Sequence, residues 1–553
     1  MTGFCPSIHS DLLPKGIIHF SLHPPKKCST KLYVVPIGIS ARCLAFKCYA
    51  TTESLHVGGQ TRGNEVSSVV DGSDKSQRKS LGDDFEKNLE ELFSEIKSMI
   101  QMGNKGDAID LLEANYEAVR EQMVAGGKGV EEAATLDVIA LGYMAIGDFK
   151  MVESVLNKLN EIVHDLSDDE PLLDSILTHM GSMHSALGRF EKSMLSYKRA
   201  LQILERNHGS NSTSLVMPLL GMGKALGSAG RATKAIDIYH RTISILESNL
   251  GAESKELVVP LTALGNLLLN EGKAEDAENA FTRIVGIYTQ LYGKDDERVG
   301  MAMCSLANAK CAKGDAEAAI KLYRNALHVL ENLESMNLDD GILEKTRIDL
   351  AELLHVVGRE NEGRELLEEC LSITKKYKGE EDPSFVTHLT NLATSYSRSK
   401  NYVEAERLLR SSLQIMERIV GHDDDPSITF VMLQLAVTLY NLKQDEEAEQ
   451  MALEVLRIRE KAFGDASLPV GEALDCLICI QNRIGRDDGE ILELLKRNLN
   501  IQEKAFGNES EQVIGTLKKI LFYMDKLGIK DQKFPFQRRL SLLRNKFKEQ
   551  VQY

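Results

Sequence analysis

The chain has 553 residues, with 82 Asp and Glu against 66 Lys and Arg, giving a formal net charge of −16. That acidic balance excludes the basic stripe which phosphate binding requires, and the absence of Trp leaves few platforms for stacking bases. No apolar run reaches the ~18 residues of a membrane-spanning helix.

Residues 1–50 depart from this balance. They carry Lys15, Lys26, Lys27, Lys31, Arg42 and Lys47 against Asp11 alone, a local charge of +5 that leaves −21 on the remainder. An acid-poor, Ser-containing head before an acidic body has the composition of an organelle transit peptide. A single arginine favours a plastid over a mitochondrion, and ISARCLAFKCYA offers processing sites. A chloroplast location, in the stroma or at the thylakoid surface, is therefore expected; the alternative is a cytosolic protein with a disordered tail. The apolar stretch near Val34 is too short and too far inside for a secretory signal. Residues 51–82 are rich in Gly, Ser and Thr and are expected to be a disordered linker.

Helical periodicity begins at Asp83, where Phe85, Leu89, Leu92, Ile96 and Met99 alternate by four and three. This is heptad spacing, but it is brief, so the first helix of a stack is the expectation and a short coiled coil the alternative. GNKGDAIDLLEANYEAV around Ala108 and LDVIALGYMAIGDFKMVESVLNKLNEIV around Gly147 are degenerate versions of a unit that then appears three times in clear form. The copies run from Leu177 to Pro218, from Leu219 to Pro260 and from Leu261 to Ala302, each of 42 residues. Gly188, Gly230, Gly272 and Gly314 keep that spacing, as do Ser193, Ala235, Ala277 and Ala319 and the rings Tyr197, Tyr239, Phe281 and Tyr323. A fixed period of this length marks a solenoid.

Each unit reads as two helices meeting at a glycine corner. Leu264, Gly265 and Leu268 share a face of the first helix, and Ala277, Phe281, Ile284 and Val285 share a face of the second. The small residue lets the helices approach, the ring fills the space one turn later, and neighbouring units bury the apolar stripe that one hairpin leaves open. A fourth copy from Met303 to Lys345 lengthens its closing turn at ESMNLDDGILEK. Further units centre on Gly358, Lys400, Lys443 and Gly485, lysine replacing the corner glycine at two of them. About ten units over residues 83–529 then form one elongated all-α domain. From 530 to 553 the chain is basic, with Phe536, Leu540, Leu543 and Phe547 on one helical face. A capping helix is expected there; peripheral contact with an acidic membrane is the other use of such a face.

EEDPSFVTHLTNLATSYSRSKNYVEAERLLRSSLQIMERIVGHDDDPSITFVMLQLA, residues 380–436, carries an acidic-Pro linker, an LTNLA start, an EAE corner and a closing Gly421. With the period, it resembles the tetratricopeptide repeat, in the 42-residue variety of kinesin light chains and nephrocystin-type proteins. The resemblance covers roughly residues 90–530 and implies a right-handed superhelical solenoid. It also implies that first-helix side chains line a concave groove which holds protein partners as a peptide or helix. The positions it assigns to that groove are Lys224, Asn266, Asn308, Glu352 and Thr394. Asn266 and Asn308 suit amide contacts to an extended peptide backbone, and a plain solvent-facing role fits them equally. Some members clamp acidic tails through Lys and Asn one turn apart; here Thr262 and Cys304 stand one turn before the asparagines, and neither supplies a cation.

No Gly-rich phosphate loop, HExxH or GxSxG occurs, and no catalytic, cofactor or metal site is expected. The carboxylates of Gly379–Asp382 and Asp423–Asp425 are expected to serve solvation. Cys476 and Cys479 form CLIC inside a first helix; with no second CxxC, zinc lacks ligands. They are either buried small hydrophobes or a stromal thiol switch. The reading is a non-catalytic scaffold that aids assembly or maintenance of a plastid complex. The alternative is a cytosolic transport adaptor like kinesin light chains, although the long N-terminal heptad region of that family is missing.

Overall fold

The structure is a computed structural model that describes residues 73–333, 336–421 and 425–551. The expected leader and the first part of the linker lie outside these residues. Among the described residues there are only helices, turns and bends. Contacts divide the chain after Leu333, at the lengthened closing turn, into two compact units.

In the first unit the hairpins are α1 (Ser73–Gln101) with α2 (Lys105–Val124), α3 (Val130–Ile146) with α4 (Phe149–Asp165), and α5 (Leu173–Ala186) with α6 (Phe190–His208). They continue as α7 (Val216–Ser228) with α8 (Ala232–Leu250), α9 (Val258–Asn270) with α10 (Ala274–Tyr292), and α11 (Glu297–Lys313) with α12 (Ala316–Glu331). The second unit holds α13 (Gly341–Val356) with α14 (Glu360–Tyr377), α15 (Pro383–Arg398) with α16 (Tyr402–Val420), and α17 (Thr429–Asn441) with α18 (Asp445–Phe463). It closes with α19 (Leu468–Ile484) and α20 (Asp488–Phe506), then α21 (Glu511–Lys526) and α22 (Lys533–Val551).

Two boundaries differ from expectation. Helix α1 starts at Ser73, inside the stretch expected to be linker, because SDKSQRKSLG contains no proline and its Lys, Arg and Gln tolerate helix although they supply no apolar period. Helix α22 is the second helix of an eleventh hairpin with Gly528 at its corner (φ +70°), so the expected division at 529/530 cuts through a repeat. Leu540 and Leu543 of α22 are buried in the core of the second unit, while Phe534 and Leu542 face outward.

Local chemistry explains the corners. Gly272 is left-handed (φ +71°); its N–H donates to Leu269 O at 3.0 Å and Lys273 N–H to Leu268 O at 2.8 Å, which satisfies the end of α9. Lys400 and Lys443 close α15 and α17 in the same way at φ +61° and +64°, where a Cβ is strained. At the far end of the hairpin Gly251 adopts φ +87°, ψ +161°, a region almost confined to glycine. The acidic linkers then do more than solvate. Asp382 Oδ1 accepts from Ser384 N–H at 2.9 Å and Asp425 Oδ1 from Ser427 N–H at 2.7 Å, capping the segments that follow; Asp423 lies outside the described residues.

Packing follows the small-against-ring pattern. A Cβ at Gly181, Gly223 or Gly265 would lie 2.7, 2.8 or 2.7 Å from the ring of Tyr197, Tyr239 or Phe281, so only glycine permits these approaches. Successive hairpins are also tied by arginines of the second helices. Arg199 donates to Asp168 Oδ1, Val163 O and Leu166 O, each at 2.8 Å. Arg283 reaches Glu247 at 2.6 Å and Ala252 O at 3.4 Å, and Arg241 makes the same pair of contacts to Glu205 and Ser210 O. In the second unit Arg497 repeats this with Glu460 and Asp465 O, and Arg539 of α22 with Glu503 and Asn508 O. These ties are partly exposed and set register more than stability.

Candidate functional site

The residue after each small residue is rotated about 100° from the ring that the small residue meets, so it leaves the hairpin interior. Lys224, Asn266 and Asn308 hold this place on α7, α9 and α11 of the first unit; Glu352 and Thr394 hold it on α13 and α15 of the second. The five expected positions thus fall into two sets, three in one unit and two in the other.

The three of the first unit have different surroundings. Lys224 is half-buried, and burial holds its ammonium below the usual lysine range. Among the described residues no carboxylate pairs with it, whereas Lys310 and Lys313 of α11 are both tied to Glu278, at 2.7 and 3.1 Å. Asn266 is exposed. Asn308 is also exposed, but its Oδ1 accepts a 2.5 Å hydrogen bond from the hydroxyl of Tyr323. The reason is the ring that each repeat places behind the asparagine: Phe281 has no hydroxyl to offer Asn266, and Tyr323 does. Leu220, Thr262 and Cys304, one turn earlier, are half-buried.

In the second unit the same place becomes apolar along the chain. Glu352 and Thr394 are half-buried, and the Thr394 hydroxyl donates to Thr390 O at 2.9 Å within its own helix. The next occupants are Val437, Cys479 and Phe522, of which Phe522 is 62% exposed. With half-buried Leu433 and Tyr440, Val437 gives α17 an apolar outward strip. Sequence reasoning did not extend to Val437 and Phe522; counting six residues back from the corners Lys443 and Gly528 would have found them.

Cys479 therefore lies on the outward face and Cys476 beneath it. Neither is in a disulfide. Burial pushes the Cys476 thiol up to about 12 and raises Cys479 as well, which disfavours the thiolate that redox exchange needs. Among the described residues no His, Cys, Asp and Glu side chains cluster in a way that would hold a metal ion, and no helix is long and apolar enough to cross a membrane.

The family model of the tetratricopeptide repeat matches residues 172–248, 257–332, 343–418 and 383–461. No curated protein matches the chain. Among solved structures, BtubC (BKLC) from P. vanneervenii is 24% identical, with 42% of this chain and 92% of that chain covered and a TM-score of 0.37. A putative kinesin light chain with nearly identical TPR-like repeats from Podosopora anserina is 19% identical, covering 37% and 97%, with a TM-score of 0.35. The apo quorum sensor NprR from B. thuringiensis is 15% identical, covering 68% and 99%, with a TM-score of 0.41.

Proposed function

The chain is a tetratricopeptide-repeat protein, and from that premise we propose that it is a non-catalytic scaffold of the chloroplast, whose first unit holds an extended segment of a protein partner. The observation that carries this reading is the row Lys224, Asn266 and Asn308, polar side chains left outward at one register on three successive first helices above a continuous apolar core. Amides in such a row suit the main chain of an extended peptide, which offers a carbonyl and an N–H at each residue. The chloroplast is supported by the composition of residues 1–50, and service to the assembly or maintenance of a plastid complex accords with a repeat array that offers surface to protein partners.

Two experiments test it. Isolated chloroplasts are incubated with the full chain and with a version lacking residues 1–60; protease protection with cleavage of the full chain alone is expected. Exclusion of both would remove the plastid reading and promote the cytosolic adaptor. Changing Asn266 and Asn308 together to Ala is expected to abolish partner capture by the imported protein, and unchanged capture would sink the assignment of the row.

A further inference from the structure

Helix α22 has two faces that point in opposite directions, and the core uses one of them. Phe536, Leu540 and Leu543 pack into the second unit. At about 100° per residue, Phe534, Arg538, Leu542 and Asn545 share the other side. Phe534 is 68% exposed and Leu542 62%, and Arg538 and Asn545 are exposed as well. The apolar face expected to serve either as a cap or on a membrane is thus taken up by packing, while a second, mixed face stays open.

Charge sets this open face apart. Residues 530–553 hold seven Lys and Arg against Asp531 and Glu549, a local +5 in a chain of −16. Lys533 and Arg539 are tied to Asp525 and Glu503, whereas among the described residues no carboxylate pairs with Lys530, Arg538 or Arg544. The tie arginines Arg497 and Arg539 align α20 with α22. In the matching places on α20, Lys496 is neutralised by Glu493 at 2.7 Å, and exposed Asn500 stands where α22 carries Leu542. Unspent cations beside large apolar side chains are therefore a feature of α22 and not of the second helix before it.

From this combination we propose that the open face of α22 docks on an anionic lipid surface. Phe534 and Leu542 enter the headgroup boundary, Lys530 and Arg538 meet the acidic headgroups, and Arg544 supports them from the flank. A free polyanion satisfies the cations alone; a bilayer also buries the two apolar side chains set among them. The acidic repeats are repelled by the same surface, which restricts their contact to this helix.

The test is co-sedimentation with vesicles of phosphatidylcholine alone or with about one-third phosphatidylglycerol, at about 0.15 M and about 1 M salt. The full chain is compared with the version lacking residues 1–60, which keeps every described helix and removes the basic leader. Both are expected to bind the anionic vesicles about tenfold more tightly than the neutral ones and to be released at high salt. Phe534→Ser combined with Leu542→Ser is expected to weaken binding about tenfold, and Arg538→Gln about fivefold. Lys496→Gln on α20 is expected to leave binding unchanged. The three α22 residues are exposed, and an unchanged thermal midpoint checks that their variants fold.

Loss of binding on removing residues 1–60 would assign it to the leader and overturn the proposal. Equal binding to neutral vesicles, or no binding to either kind, would do the same. Undiminished binding by the double serine variant also overturns it, because the face would then meet polyanions by charge alone; capture of polyglutamate by that variant would make an acidic protein segment the occupant.

Discussion

The two units build the same hairpin from different side-chain pairs. In three hairpins of the first, glycine on the first helix meets a ring on the second: Gly181 with Tyr197, Gly223 with Tyr239 and Gly265 with Phe281. In the second, the same two places hold Ala351 with Leu367 and Ala393 with Leu409, all buried. Removing the Cβ opposite makes room for the ring in those three hairpins, while Ala307 opposite Tyr323, both buried, accommodates a ring with its Cβ in place. The outward register differs in parallel, being polar in the first unit and increasingly apolar in the second. One backbone plan therefore presents two surface chemistries, because the residue that packs and the residue beside it vary independently.

Acid offers the largest effect and acts on both units. His184 of the first unit, 1% exposed, is pushed down to about 4 by burial and then by Lys192 and Arg189. His355 of the second is lowered to about 4 by burial and then by Arg398 and Arg364. Each imidazole stays neutral in the folded chain while the unfolded chain takes up a proton near pH 6.5, so stability present above that pH is lost as it falls toward 4. For His184 the loss is expected to reach about 2 kcal/mol at pH 5 and about 3 by pH 4. Urea midpoints across this range check it; His184→Gln should flatten the dependence, and an unaltered slope would refute the assignment.

Volume pairing can be broken directly. Gly265→Ala puts a methyl 2.7 Å from the Phe281 ring and is expected to destabilise by about 2 kcal/mol. Ala393→Gly, the reverse change in the second unit, should cost about 1 kcal/mol through helix propensity and a lost methyl. If Gly265→Ala proved neutral in denaturant titration, ring and small residue would not be coupled as described.

The corners of the second unit are mixed, with glycine at Gly358, Gly485 and Gly528 and lysine at two others. Clear corners of the first unit use glycine, whereas Lys400 and Lys443 hold positive φ in the second. Lys400→Gly is therefore expected to stabilise, by about 0.5–1 kcal/mol, seen as a raised urea midpoint. The smallest effect belongs to the inter-repeat ties: Arg283→Gln should cost about 0.5 kcal/mol, fading at high salt, because the pair with Glu247 is partly exposed.

By itself the sequence determined the repeat. Corner residues, small residues and rings recur every 42 residues because hairpin packing is a local matter of register, and the outward places at Lys224, Asn266 and Asn308 follow from that register alone. The division at Leu333, the arginine ties and the engagement of Asn308 by Tyr323 were decided only in three dimensions. So were the capping roles of Asp382 and Asp425 and the burial of His184 and Cys476. Each of these depends on direction as well as spacing: which way a guanidinium, a hydroxyl or a carboxylate points, and which neighbour closes over it. A periodic sequence specifies that helices meet at a given residue, but the partner a polar atom finds is set by packing between repeats.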